Sequence, residues 1–179
     1  MKKILFITDG FGTYNTGAAI YSYGVIYRLS NYFKIDVICN SAVPNNNDEY
    51  VSAIYKKISK CIPCGMGKSD LIKKYFLYRT TFPRYSQSLI QSVKNALKGA
   101  HYEYVFVDHL RMAYVIPILK KYHCKVILVE HNVEFENYKE QIAISKSLKY
   151  KVKNIGLPRY EAKILKFADF IWLFGHRRG

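Results

Sequence analysis

Short apolar runs rich in β-branched residues recur along this chain, most of them followed by a polar residue and separated from the next by a stretch of helical periodicity. Lys3 to Thr8, Ile35 to Cys39, Tyr104 to Val107, Lys125 to Val129 and Asp169 to Phe174 read as strands. Several are apolar at consecutive positions rather than at alternate ones, so both faces of the sheet must be covered. Helical spacing fills the gaps: Ala18 to Tyr32, a short helix before a third strand between Glu49 and Ile62, Ser69 or Asp70 to about Thr80, Pro83 to Gly99, Met112 to Tyr122, Glu134 to Lys153 and Pro158 to Phe167. Strands alternating with helices specify an α/β class, a Rossmann-like parallel sheet with helices on both faces. At 179 residues the chain fits one domain, 1–179.

Ligands of such sheets sit outside the carboxyl ends of the strands. The segments to inspect are therefore Asp9 to Gly17, Asn40 to Ser41, Asp108-His109 and Glu130 to Glu134. The first carries Gly10, Gly12 and Gly17 but fits neither common phosphate loop. Gly12 and Gly17 have Walker A spacing, yet Ala18-Ala19 follow where Lys and Ser/Thr are required; the dinucleotide pattern lacks its third glycine, and Asn40 stands where an acidic residue should end the second strand. A glycine loop feeding a helix N-terminus can still bind an anion or a sugar hydroxyl, or be a plain βα turn. Asp108-His109 and Glu130-His131 each pair an imidazole with a carboxylate at one edge of the sheet, an arrangement suited to general-base or hydroxyl-orienting work. As metal ligands the two histidines, His109 and His131, lack a nameable third member, and no metal is assigned.

The chain carries 28 basic against 13 acidic residues, a net +15, which favours phosphate-rich partners without choosing among them. Lys68 to Arg84 interleaves Lys and Arg with Leu71, Ile72, Tyr75, Phe76, Leu77, Tyr78 and Phe82, as do helices lying on anionic membranes. The competing reading is an amphipathic helix packed apolar side down on the sheet. Nucleic-acid binding rests on charge alone and no RNA-binding signature accompanies it. No apolar run approaches the ~20 residues of a membrane span, and Asp9 interrupts the one signal-like start, so a cytoplasmic location is expected. Cys61-Ile62-Pro63-Cys64 has no second Cys pair to complete a zinc site and reads as two reduced thiols at a strand end; Cys39 and Cys124 read as core.

The turn Glu130-His131-Asn132-Val133-Glu134 after its strand, the opening strand and glycine loop Lys3 to Gly17, Val105 to His109, and Arg159-Tyr160-Glu161-Ala162 leading to Ala168-Asp169 occur in an order that resembles the N-terminal domain of GT-B glycosyltransferases of the GT4-like group. The resemblance implies one half of a GT-B fold, the acceptor side of an enzyme that moves a sugar from a nucleotide-sugar donor to a glycan or lipid-linked acceptor in polysaccharide biosynthesis. His131 would be the catalytic residue nearest the acceptor hydroxyl. Asp108, His109, Glu130, Asn132 and Glu134 would form the acceptor pocket, and Gly10, Gly12 and Gly17 would face the donor phosphates. The family usually needs no metal, and no other cofactor is implied. Gly17-Ala18 stands where the family often has two glycines, and the tail Phe174 to Gly179 departs from the family's continuation. The expectation is a chain truncated before the nucleotide-sugar domain, inactive alone unless a separate donor-domain chain supplies it, working in the cytoplasm or on the inner face of the membrane. A non-catalytic, basic, membrane-peripheral module is the alternative.

Overall fold

The computed structural model describes residues 1–11, 17–40, 49–65, 67–131, 134–145, 151 and 154–173. Six parallel strands make one sheet in the order β3-β2-β1-β4-β5-β6: β1 Lys2–Thr8, β2 Phe33–Cys39, β3 Lys60–Pro63, β4 Tyr104–Asp108, β5 Val126–Glu130 and β6 Phe170–Leu173. The expected doubly covered parallel sheet is present. Helices α1 Gly17–Leu29, α2 Glu49–Tyr55, α3 Lys68–Tyr78, α4 Gln87–Gly99, α5 Ile116–Lys121, α6 Glu134–Ser145 and α7 Leu157–Leu165 connect the strands.

The pleat divides the core in two. Ile4, Phe6, Ile35, Val37, Phe106 and Val129 point to the layer that holds Tyr23 and Ile26 of α1 and Val51 and Ile54 of α2. Their neighbours Leu5, Ile7, Ile38, Val105, Val107 and Leu128 point to the layer of Leu89 and Val93 of α4, Leu119 of α5 and Ile164 of α7. Apolar side chains at consecutive positions of β1 are thus buried on both sides, which is why these strands read as unbroken runs.

Two helices differ from the spacing. Pro83 does not open α4; the helix begins at Gln87, after Ser86 accepts from the Leu89 N–H at 3.2 Å as N-cap. Residues before it are committed elsewhere, the Arg84 N–H to the Arg111 carbonyl at 3.0 Å and the Arg84 carbonyl to Asn40 Nδ2 at 2.9 Å. Met112 to Tyr122 is not one helix but a 3-10 turn, Leu110–Val115, followed by α5. Pro117 lies in the first turn of α5, where its missing N–H costs no hydrogen bond. The polar helix after β5 is described from Glu134 to Ser145, and the expected continuation to Lys153 lies largely outside the described residues.

All six strands run the same way, so Asp9, Asn40, His109 and His131 follow strands that end at one edge. From β1 the chain winds outward through β2 and β3, then returns to place β4 on the other side. That reversal between β1 and β4 is the switch point at which open α/β sheets form their ligand crevice.

Candidate functional site

Asp108 is the last residue of β4, beside β1 at the switch point, and is fully buried. Its parity with Phe106 turns its carboxylate toward the α1 layer. There Oδ2 accepts from Thr8 Oγ1 at the end of β1 at 2.8 Å and from Ser22 Oγ of α1 at 2.6 Å. Oδ1 accepts from His131 Nε2 at 2.9 Å. A carboxylate is acceptor-only, so His131 carries its proton on Nε2, leaving Nδ1 as the nitrogen able to accept in the neutral ring. Burial alone would push the Asp108 carboxyl up, but the His131 hydrogen bond, the neighbouring His109 and the Ser22 hydroxyl outweigh it and hold the group below its ordinary value.

His109 follows β4 with φ 71° and ψ 140°, a left-handed conformation that costs a side-chain-bearing residue of order 1–3 kcal/mol. The strained turn lays its ring on that of His131, with centroids 4.2 Å apart and planes at 28°, and brings its Nε2 to 3.9 Å from Asp108 Oδ2. Burial lowers the His109 pKa, with the nearby His131 and Arg111 adding to it and Asp108 and Asp9 opposing. The balance favours the neutral ring. Tyr21 of α1 meets the His131 ring edge-on at 5.9 Å. One buried carboxylate thus orients an imidazole pair at the cleft, and two hydroxyls fix the carboxylate.

Asp108, His109 and His131 also offer three ligand atoms within 4.8 Å of one another. Asp108 is the third member that the sequence left unnamed. The same three residues can therefore act as a hydrogen-bonded group or as a ligand set.

Glu130 and Glu134 are not part of this group. Glu130 shares the parity of Leu128 and faces the opposite layer. It is 4% exposed, and among the described residues Oε1 has no hydrogen-bond partner; Glu134, in the first turn of α6, is 6% exposed, with Oε2 likewise unpartnered among the described residues. Burial first, then the carboxylates of Glu134, Glu161 and Asp108, raises the Glu130 pKa to about 9. Burial also raises Glu134, against the attraction of Arg111. Arg111 donates from Nη2 to the Tyr138 hydroxyl at 3.1 Å and lies 5.6 Å from the centre of the Phe82 ring. A second, acidic group therefore lies on the other face of the sheet from the Asp108 carboxylate.

Of the glycines, Gly10 follows β1 and Gly17 opens α1, each with open space where a Cβ would stand; Gly12 and Asn132 lie outside the described residues. Thr8, Ser22 and Tyr21 were not singled out by the sequence. Hydroxyls on a strand end and a helix are too common to signal a site before the fold brings them to Asp108. None of the four cysteines forms a disulfide, and Cys39 Sγ lies 4.0 Å from Cys61 Sγ across β2 and β3.

No family model matches the chain, and no curated protein does. Among solved structures, Phytolacca americana UGT2 complexed with UDP-2fluoro-glucose and pterostilbene superposes with a TM-score of 0.56 at 8% identity, over 96% of this chain and 46% of that one. The apo form of the same protein gives 0.50 at the same identity and coverage. The likeness shows the fold: this sheet has the architecture of one half of a GT-B glycosyltransferase. The chain spans about half the length of those structures.

Proposed function

We propose that the chain is the acceptor-binding half of a GT4-like glycosyltransferase that moves a sugar from a nucleotide sugar to a glycan or lipid-linked acceptor in polysaccharide biosynthesis. The observation that carries this reading is the Asp108–His131 hydrogen bond at the switch point, with His109 stacked beside it. In it, Asp108 fixes the His131 tautomer and offsets positive charge on the ring, so that Nδ1 accepts a hydrogen bond from the attacking hydroxyl as it loses its proton. His109 and Tyr21 flank the ring and shape the acceptor pocket, which excludes water and limits the hydroxyl's approach. Asn132 contributes to that pocket, and Glu130 and Glu134 support it. The loop from Gly10 to Gly17 faces the donor phosphates. The donor is held by a second domain, on this polypeptide or on a separate chain, and the reaction takes place in the cytoplasm.

The imidazole resonances of His109 and His131 test this reading. Oligosaccharides that act as acceptors shift both rings, and Asp108→Asn broadens or abolishes the response. If no oligosaccharide or polyprenyl-linked sugar perturbs either ring, the acceptor assignment fails.

A further inference from the structure

Helix α3 is built inside out. Asp70, at its start, is buried and accepts from the Gly67 N–H at 2.8 Å. Lys74 and Tyr78 follow at successive turns on the same inward face, both half-buried, and Tyr78 packs on Tyr85, Tyr114 and Tyr160. Large apolar and aromatic side chains are left exposed: Ile72 is 66% exposed, Phe76 65%, Leu77 59% and Tyr75 50%. Ile72 and Phe76 are one turn apart and share the outward face, with exposed Lys73 and Arg79 beside them. A soluble helix would turn Ile72 and Phe76 inward and its lysine outward, so this surface is one that something else covers.

The charge decides what covers it. From Lys68 to Ser86 the chain has five basic residues and one acidic residue, Asp70, which is buried; the whole chain carries +15. A second copy would set this basic face against itself. Single-stranded nucleic acid would stack on Phe76 and Tyr75, but Ile72 and Leu77 offer no face for a base. A plane of anionic headgroups over an apolar layer matches both features, with aromatic and aliphatic side chains entering the acyl boundary while Lys73 and Arg79 stay among the headgroups. We propose that the outward face of α3 docks this protein on an anionic lipid surface.

Docking there bears on the cleft. The segment leaving α3 returns to the carboxyl edge of the sheet, where Arg84 Nε lies 3.4 Å from Asp9 Oδ2 and the Arg84 carbonyl accepts from Asn40. The helix and the strand-end cleft are thus joined at one rim, and a docked α3 holds the cleft close to the membrane plane. That consequence rests on the acceptor reading and favours a lipid-linked acceptor over a free one; the docking does not rest on it. Among the described residues no helix is long and apolar enough to cross a membrane, so contact is from one side through this face.

Co-sedimentation with vesicles tests the proposal. The full chain binds phosphatidylcholine vesicles containing phosphatidylglycerol, binds pure phosphatidylcholine far less, and releases as salt rises. Phe76→Asp and Ile72→Asp each weaken binding about tenfold or more by removing an inserted side chain, with an unchanged thermal midpoint because both positions are exposed. Lys73→Glu weakens it mainly at low salt. No binding to phosphatidylglycerol vesicles, or unchanged binding by the two Asp variants, overturns the proposal. A dimer that Phe76→Asp converts to monomer, or oligonucleotide binding that Phe76→Asp abolishes without vesicle binding, also overturns it by giving the face another occupant. Because no sugar enters the assay, docking and the acceptor reading fail separately.

Discussion

Replacing Glu130 by Gln should stabilise the protein at neutral pH and flatten its pH dependence. Glu130 is 4% exposed and its pKa is raised from an ordinary 4.5 to about 9, first by burial and then by Glu134, Glu161 and Asp108. In the unfolded chain the carboxyl ionises at its ordinary value, while in the fold it stays protonated. Its favourable balance is therefore complete below pH 4.5 and is lost as pH rises toward about 9. At pH 7 the gap is roughly two and a half pH units at about 1.4 kcal/mol each, or up to about 3.5 kcal/mol. Glutamine keeps the neutral shape and removes the titration, so Glu130→Gln should gain that amount at pH 7 and almost nothing at pH 4.5. For a domain of this size the gain corresponds to a rise of about 10 °C in midpoint. Thermal unfolding by circular dichroism from pH 4.5 to 9 measures it. A variant no more stable than the parent at pH 7, with the same slope against pH, would show that Glu130 is ionised in the fold and that the reasoning is wrong. Keeping a costly acid buried near a cleft is the kind of compromise expected where function outweighs stability.

Other outcomes follow from the same contacts. Asp108→Asn should cost about 3 kcal/mol in denaturant unfolding, since Thr8, Ser22 and His131 all donate to a charged acceptor. It should also remove acid lability, because stabilisation by the lowered Asp108 pKa is present above the ordinary carboxyl value and lost as pH falls through the folded one. At His109, φ 71° predicts that His109→Gly is more stable than His109→Ala by about 1 kcal/mol in the same assay, although both lose the ring stack. Gly156 has φ 73°, and a Cβ there would strike the Arg79 carbonyl oxygen, so Gly156→Ala should cost about 2 kcal/mol or more and lower the thermal midpoint.

The sheet was legible because its strands are apolar on both faces and alternate with helices, a combination that a parallel, doubly covered sheet satisfies. Parallel direction then places Asp108-His109 and Glu130-His131 at one edge before any coordinates are known. The details depend on side-chain direction. Glu130 and His131 are adjacent in sequence, yet the pleat sends Glu130 into the lower layer while the turn after β5 brings His131 to Asp108. Pro83 resembled a helix start, but Arg84 spends its backbone N–H on Arg111, and Ser86 became the cap. Composition identified α3 as an amphipathic helix without showing which face turns inward, and the buried Asp70, half-buried Lys74 and exposed Phe76 settle it against the usual expectation.

Calorimetric titration of the purified chain tests the central claim, with one panel of nucleotide sugars and another of oligosaccharides carrying or lacking a polyprenyl-phosphate chain. A member of the acceptor panel should bind without nucleotide sugar, His131→Ala should weaken this binding about tenfold, and nucleotide sugars should bind weakly or not at all. Tight nucleotide-sugar binding that is indifferent to His131 would place the donor site in this half and contradict that claim.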